Sequence, residues 1–394
     1  MLMRTAVGAF LLALLALLPL SASRRHTPEA LAQTAAQASS EASSQAAGLS
    51  DAEFAALVAR VSEPGGYFDS DNLISNESSY LHVLGAMRRL GVAGGTYVGV
   101  GPDQNFSYIA QIRPKIAFII DIRRDNLLQH LLFKSLFEMA RNRAEYLALL
   151  TGRAVPNDVA KWNRRPIADV VELVEKSSPD PDQFETTRAM VRAKVKKYGI
   201  PVTPAELETI GRIHQAFFDA GLELRFTSLG RAPRPYYPTL RTLLLEKDLT
   251  GKQQTYLASE DDFQFLKSLE GRNLVVPVVG NLAGTHALRE IGKLTAERGD
   301  RLSALYVSNV EFYLMREGTF DGFAATVRGL PHDTRSVIIR SYFGGGFYGP
   351  HPQSVPGYFS TQLLQTVDSF VTESARGGYS TYMDLVSKHN LSLK

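Results

Sequence analysis

The chain has 394 residues, enough for one large domain or two ordinary ones and for a core that needs no covalent staples. It contains no cysteine, which excludes disulfide frameworks, thiolate zinc and iron–sulfur sites, cysteine nucleophiles and a lipidated cysteine anchor. Lys plus Arg (43) nearly balances Asp plus Glu (40) for a formal charge of +3, and no basic run carries interleaved aromatics, so nucleic acid is not an expected partner.

At the N-terminus, Arg4 precedes an apolar stretch from Ala6 to Leu20, followed by the small residues Ser21, Ala22 and Ser23. This order describes a secretory signal peptide over residues 1–23, and therefore an exported protein, periplasmic or secreted. The stretch is short of the about 20 residues that span a bilayer. Arg24 and Arg25 directly after it leave open an uncleaved inner-membrane anchor, the one membrane contact expected. Residues 24–50 are rich in Ala and Ser and read as a tether.

Helical spacing governs residues 51–62 until Pro64-Gly65-Gly66, and a second helix is expected from Tyr80 to Leu90, ending at Gly91. A strand at Thr96–Val100, a helix from about Asp103 to Ile112, a strand at Ile116–Ile120 and a helix from Asp125 to about Ala140 make a βαβα run, which implies a parallel sheet. Residues 141–255 read as a mostly helical insertion, punctuated by prolines and rich in turns toward its end. The α/β rhythm resumes over 256–394, with strands at Leu274–Val279, Leu302–Val307 and Ser336–Arg340 and helices at Thr285–Glu297 and Val310–Arg316. The expected fold is α/β: an open, mostly parallel Rossmann-like sheet, with residues 51–140 as its first half and the insertion between its second and third strands.

Ligands of such sheets bind beyond the carboxyl ends of the strands. The first strand ends in Gly99-Val100-Gly101-Pro102-Asp103, a turn that admits close backbone approach. The second ends in Asp121, a carboxylate suited to ribose hydroxyls, the third in Gly280-Asn281, and the fourth in Ser308-Asn309-Val310-Glu311-Phe312-Tyr313. Gln104 stands where a dinucleotide site needs a small residue, and Asp103 at the helix start disfavours phosphate. There is no P-loop, no G-x-S-x-G elbow and no H-E-x-x-H. A ligand with ribose and no phosphate fits this pattern, which points to S-adenosylmethionine (SAM).

With these motifs in order, residues 95–135 and 270–345 resemble the class I SAM-dependent methyltransferases. Over more of the chain, the segments SDNLISNESSYLHVL, GVGPDQNFSYIAQIRPKIAFIIDIRRDNL, YLASEDDF and VVPVVGNLAG…YVSNVEFYL resemble a bacterial family of domain-of-unknown-function proteins. The methyltransferase resemblance implies that Gly99 and Gly101 approach the methionine part of SAM, Asp121 holds the ribose, Asn281 faces the adenine, and Ser308 and Asn309 flank the reacting methyl. Tyr97, where the pattern often has a carboxylate, and Asp103 depart from it.

The acidic and amide-rich segment 69–80 is expected to lie over the sheet edge as a lid carrying Asn72, Asn76 and Glu77. Glu77 is then a candidate general base, with His82 as the second. The glycine-rich aromatic loop 344–351 is expected to close over a ligand. No metal site is expected, although the Glu260-Asp261-Asp262 cluster suits either a solvated face or a hard cation. Local rules explain some of the same residues: Asp121 suits a helix N-cap, and Ser308 with Glu311, like Asp261 with Gln264, has capping-box spacing. Two functions follow. One is an exported methyltransferase acting on a small-molecule acceptor; the other is a non-catalytic envelope binding protein on a methyltransferase-derived scaffold.

Overall fold

The computed structural model describes residues 47–231, 234–344 and 349–394. The expected signal peptide, the tether up to residue 46, and positions 345–348 of the expected aromatic loop lie outside the described residues.

Six strands form one sheet: β1 Thr96–Val100, β2 Ile116–Asp121, β3 Val275–Val279, β4 Leu302–Ser308, β5 Val337–Phe343 and β6 Ser360–Thr366. Their order is β3-β2-β1-β4-β5-β6. The first five run parallel, and β6 pairs antiparallel with β5. The parallel strands are mostly apolar because helices cover both faces of a parallel sheet, and every residue of β1 and β3 is buried. Pro277 sits mid-strand in β3 opposite Ile119. A residue with no N–H is tolerated there because β3 is the edge of the sheet.

Between β2 and β3 the chain builds helices at Arg124–Met139, Arg143–Thr151, Ile167–Lys176, Pro181–Lys197, Pro204–Ala220 and Glu260–Gly271. Two of the prolines that punctuate this stretch are start signals. Pro181 and Pro204 occupy the first helical position behind the caps Asp180 and Thr203, where a missing N–H costs nothing. The helix Arg124–Met139 joins this layer to the sheet, and all its residues from Asn126 to Phe137 are buried. It packs on β2 and β3 on one side and on four of the other helices on the other.

Two local expectations fail. The acidic run Glu260-Asp261-Asp262 is the first turn of a helix capped by Ser259, which accepts from the Asp262 amide, so Asp261 and Gln264 form no box. Arg113 ion-pairs with Asp261 and Asp262, and no group of three possible metal ligands occurs among the described residues. Helix Val310–Arg316 has no side-chain cap. Its Glu311 is buried and ion-paired to Arg340 at 2.7 Å, while Ser308 turns to another partner described below. No described helix is long and apolar enough to cross a membrane.

The structure also contains elements beyond the expected pattern: helices Phe320–Arg328, Val367–Ala375 and Tyr382–Ser387, and β6 itself. Strand β6 (STQLLQT) has polar Gln362 and Gln365 at fully buried positions, so it shows no apolar run. Their amides are satisfied from afar, Gln362 by Glu77 and Ser341, Gln365 by Arg340 and Tyr379.

Candidate functional site

A cavity of about 240 Å³ opens beyond the carboxyl ends of β1 to β4, where strand order reverses about β1. This is where ligands bind in open α/β sheets. Gly101, Asp121, Asn281, Ser308 and Asn309 line it, and so do Asn72, Asn76 and Glu77 of the segment expected as a lid. That segment is tied down by long-range bonds. The Asp71 amide donates to the Thr227 carbonyl, the Leu229 amide donates to the Asp69 carbonyl, and Ser70 bridges to Ser228. The insertion therefore supplies the opposite rim, with Phe226, Tyr237 and Arg231.

The turn after β1 is shaped from within. Tyr97 donates from its hydroxyl to Asn105 Oδ1 at 2.8 Å, and Asn105 Nδ2 donates to the carbonyls of Val100 and Pro102. A Cβ at Gly99 would stand 2.0 Å from Asn105 Oδ1. Gly99 is therefore required by this packing and does not line the cavity, whereas Gly101 does, with φ +84°. Asp103 points into the core, where Tyr256 donates to it at 3.1 Å and burial pushes its carboxyl up to about 6.

Asp121 is engaged by its near neighbour Arg123. Its Oδ1 accepts from the Arg123 amide (2.9 Å) and Nε (3.1 Å), and its Oδ2 accepts from Nη2 at 2.8 Å. Arg123 also donates from Nη1 to the carbonyls of Ser70 and Asp71, so the same side chain pins the lid. Asn281 uses its side-chain oxygen to accept from the Ala283 amide, which leaves its NH₂ for other partners.

Glu77 is 1% exposed. Its Oε2 accepts from the Tyr306 hydroxyl at 2.7 Å and from Gln362 Nε2 at 2.7 Å, and its Oε1 accepts from the Ser308 hydroxyl. Burial, then the neighbouring carboxylate, hold the Tyr306 phenol well above its usual range, so it remains a donor. The β4–β5 register shifts between Tyr306 and Ser308, and Ser308 adopts φ +50°. A bulge of this kind re-aims a side chain at a strand end, and here the serine hydroxyl meets Glu77. Asn72, also on the cavity wall, has φ +51°. Two non-glycine residues in the left-handed region on one cavity mark it as a place where the fold tolerates strain.

His82, the second candidate base, does not line the cavity. Its ring packs edge-on against Tyr358 at 4.5 Å, and burial lowers it to about 4. Sequence reasoning missed Gln104, Arg123, Tyr306 and Gln362. Arg123 stood in plain view two residues after Asp121, but the partners of the other three come from strands and loops far away in the chain.

The family model for a domain of unknown function, DUF7790, matches residues 73–376. The chain belongs to this family. In this DUF7790 protein the matched span takes in all six strands and every cavity residue named above from Glu77 onward. No curated protein matches the chain.

Proposed function

We propose that the cavity is a SAM site and that the protein is an exported methyltransferase acting on a small-molecule acceptor. One observation carries the reading: Gly101, Asp121, Asn281 and Ser308, from four strand ends, line a single cavity at the point where strand order reverses. Gly101, with no side chain, presents its backbone to the cavity. Asp121 Oδ2 keeps one acceptor position, enough for one ribose hydroxyl. The free NH₂ of Asn281 suits a base edge, and Ser308 and Asn309 lie where the methyl group would sit. Bound SAM would supply an activated methyl group. The protein's part is to hold an acceptor beside it, since positioning provides most of the rate, and to take up the acceptor's proton at Glu77.

The Arg123 fork on Asp121 favours the second reading, a binding protein without catalysis, because it occupies most of the carboxylate that ribose would need. Calorimetric titration of the full-length protein with S-adenosylhomocysteine separates the two. Micromolar binding, weakened about ten- to a hundredfold by Asp121→Ala, supports the methyltransferase site. No heat and no shift in melting temperature at millimolar ligand retires it. The exported location is tested separately by cell fractionation and N-terminal sequencing of the mature chain.

A further inference from the structure

Glu77 is a buried carboxylate whose donors are all neutral. No Lys, Arg or His among the described residues ion-pairs with it, and the arginines that line the cavity, Arg123 and Arg231, are ion-paired to Asp121 and Asp69. Buried charges in proteins are normally paired, because an unpaired one forfeits its hydration without return.

Gln104 stands beside it on the same wall, 6% exposed. Its Nε2 donates to the Tyr306 hydroxyl at 3.0 Å. The orientation of this amide is dictated by the network. Tyr306 has one proton and gives it to Glu77, so its oxygen can only accept from Gln104, and Gln104 must present its NH₂. Its Oε1 is thereby the end left over, and it is buried with no partner. Glu77 and Gln104, linked through one phenol, thus both line the cavity, one a carboxylate with no cationic partner and the other an amide whose oxygen has no donor.

The group that satisfies both carries positive charge and several N–H donors, which is the chemistry of a primary ammonium. Two edge-to-face aromatic pairs line the same cavity, Phe68 with Tyr313 at 5.1 Å and Phe226 with Tyr237 at 5.0 Å, and offer an apolar seat for the rest of such a molecule. We propose that the Glu77–Gln104 wall is a receptor for the ammonium group of a small alkyl- or arylalkylamine. This rests on reading the cavity as a ligand site and, beside a SAM site, names the acceptor as an amine, whose ammonium first gives a proton to Glu77 so that the freed nitrogen lone pair takes the methyl group from the sulfonium, leaving the thioether.

The test is calorimetric titration of the full-length protein at pH 7 with phenethylamine, 2-phenylethanol and 3-phenylpropionate, which share a ring and differ in charge. The expected order is amine tightest, by roughly tenfold or more over the alcohol, the scale of one charge-assisted hydrogen bond, with the carboxylate weakest. Glu77→Gln should bring the amine down to the alcohol's affinity and leave the alcohol unchanged. Equal binding of amine and alcohol, preference for the carboxylate, or no binding of any of the three overturns the proposal on the wild-type protein alone, whatever the variant does. Repeating the amine titration with saturating S-adenosylhomocysteine places the group. Retained amine binding supports an acceptor subsite, and displacement overturns the acceptor assignment. Amine binding with no response to S-adenosylhomocysteine keeps the receptor and rejects methyl transfer.

Discussion

Burial of Asp103 makes a quantitative prediction about pH and stability. Its carboxyl is pushed from the ordinary aspartate value of 3.8 up to about 6, burial being the cause, with the Tyr256 hydroxyl working in the opposite direction. Between those two pH values the folded state binds more protons at this position than the unfolded state does, so stability falls as pH rises through the window. Above about pH 6 the folded state carries the whole penalty. A difference of about two units corresponds to about 3 kcal/mol. Asp103→Asn removes the titration while retaining an oxygen that can accept from Tyr256. It also buries an NH₂, at a cost of about 1–3 kcal/mol that does not vary with pH. The readout is therefore the change with pH and not the absolute stability. Urea unfolding of both proteins at intervals from pH 4 to pH 8 should show the variant gaining about 2.5 kcal/mol on the wild type between the ends of the range, mostly between pH 4 and 6. Shared groups cancel in this comparison, among them the buried His130 and His214, which burial lowers to about 4 and whose contribution runs the other way, rising with pH up to their ordinary range. A difference between the two proteins that stays flat across the range refutes the burial argument for Asp103.

Gly99→Ala places a methyl group 2.0 Å from Asn105 Oδ1 and 2.5 Å from the Tyr97 hydroxyl, so it should destabilise the domain by about 1–3 kcal/mol in urea unfolding; an unchanged midpoint would mean that the turn is not built on the Tyr97–Asn105 bond. Ser308→Ala and Ser308→Gly both lose the hydroxyl that meets Glu77, but only glycine relieves the φ of +50°. The glycine variant is expected to be the more stable by about 1 kcal/mol, and the reverse order would show that the backbone there is unstrained. Arg123→Met removes two charge-assisted bonds to the Ser70 and Asp71 carbonyls together with the partner of Asp121. Hydrogen exchange at the Asp71 and Leu229 amides, which tie the lid to the insertion, should accelerate by at least about tenfold. Exchange as slow as in the wild type would show that Arg123 does not hold the lid.

The parallel sheet was legible in the sequence because its first five strands are short apolar runs bounded by turns, and because strands buried on both faces need nothing from distant residues to be recognised. The helical character of the stretch between β2 and β3 was legible for a similar reason, although only its first helix was placed individually. Caps and first-turn prolines such as Thr203-Pro204 act within four residues of one another. The places along the cavity, at the carboxyl ends of β1 to β4, follow from the same pattern.

The content of the cavity wall was decided by tertiary structure. Ser308 and Glu311 have the spacing of a capping box, yet Ser308 bonds Glu77, 231 residues away, and Glu311 pairs with Arg340, 29 residues on. A buried carboxylate and a buried guanidinium outweigh a local cap because an unmet charge in the interior costs more than an unmet helix end near the surface. Strand β6 escaped notice for the same reason, since Gln362 and Gln365 are acceptable inside only because Glu77, Ser341, Arg340 and Tyr379 come to them from other elements. His82 and Gly99 lie close in sequence to cavity residues, but packing turns one toward Tyr358 and commits the other to Asn105. Local propensity thus determined the five parallel strands, the helices around the first four of them and the end of the sheet where a ligand can bind. Which side chains face that space, and which of their charges lack a partner, depended on long-range hydrogen bonds and burial that sequence spacing does not encode.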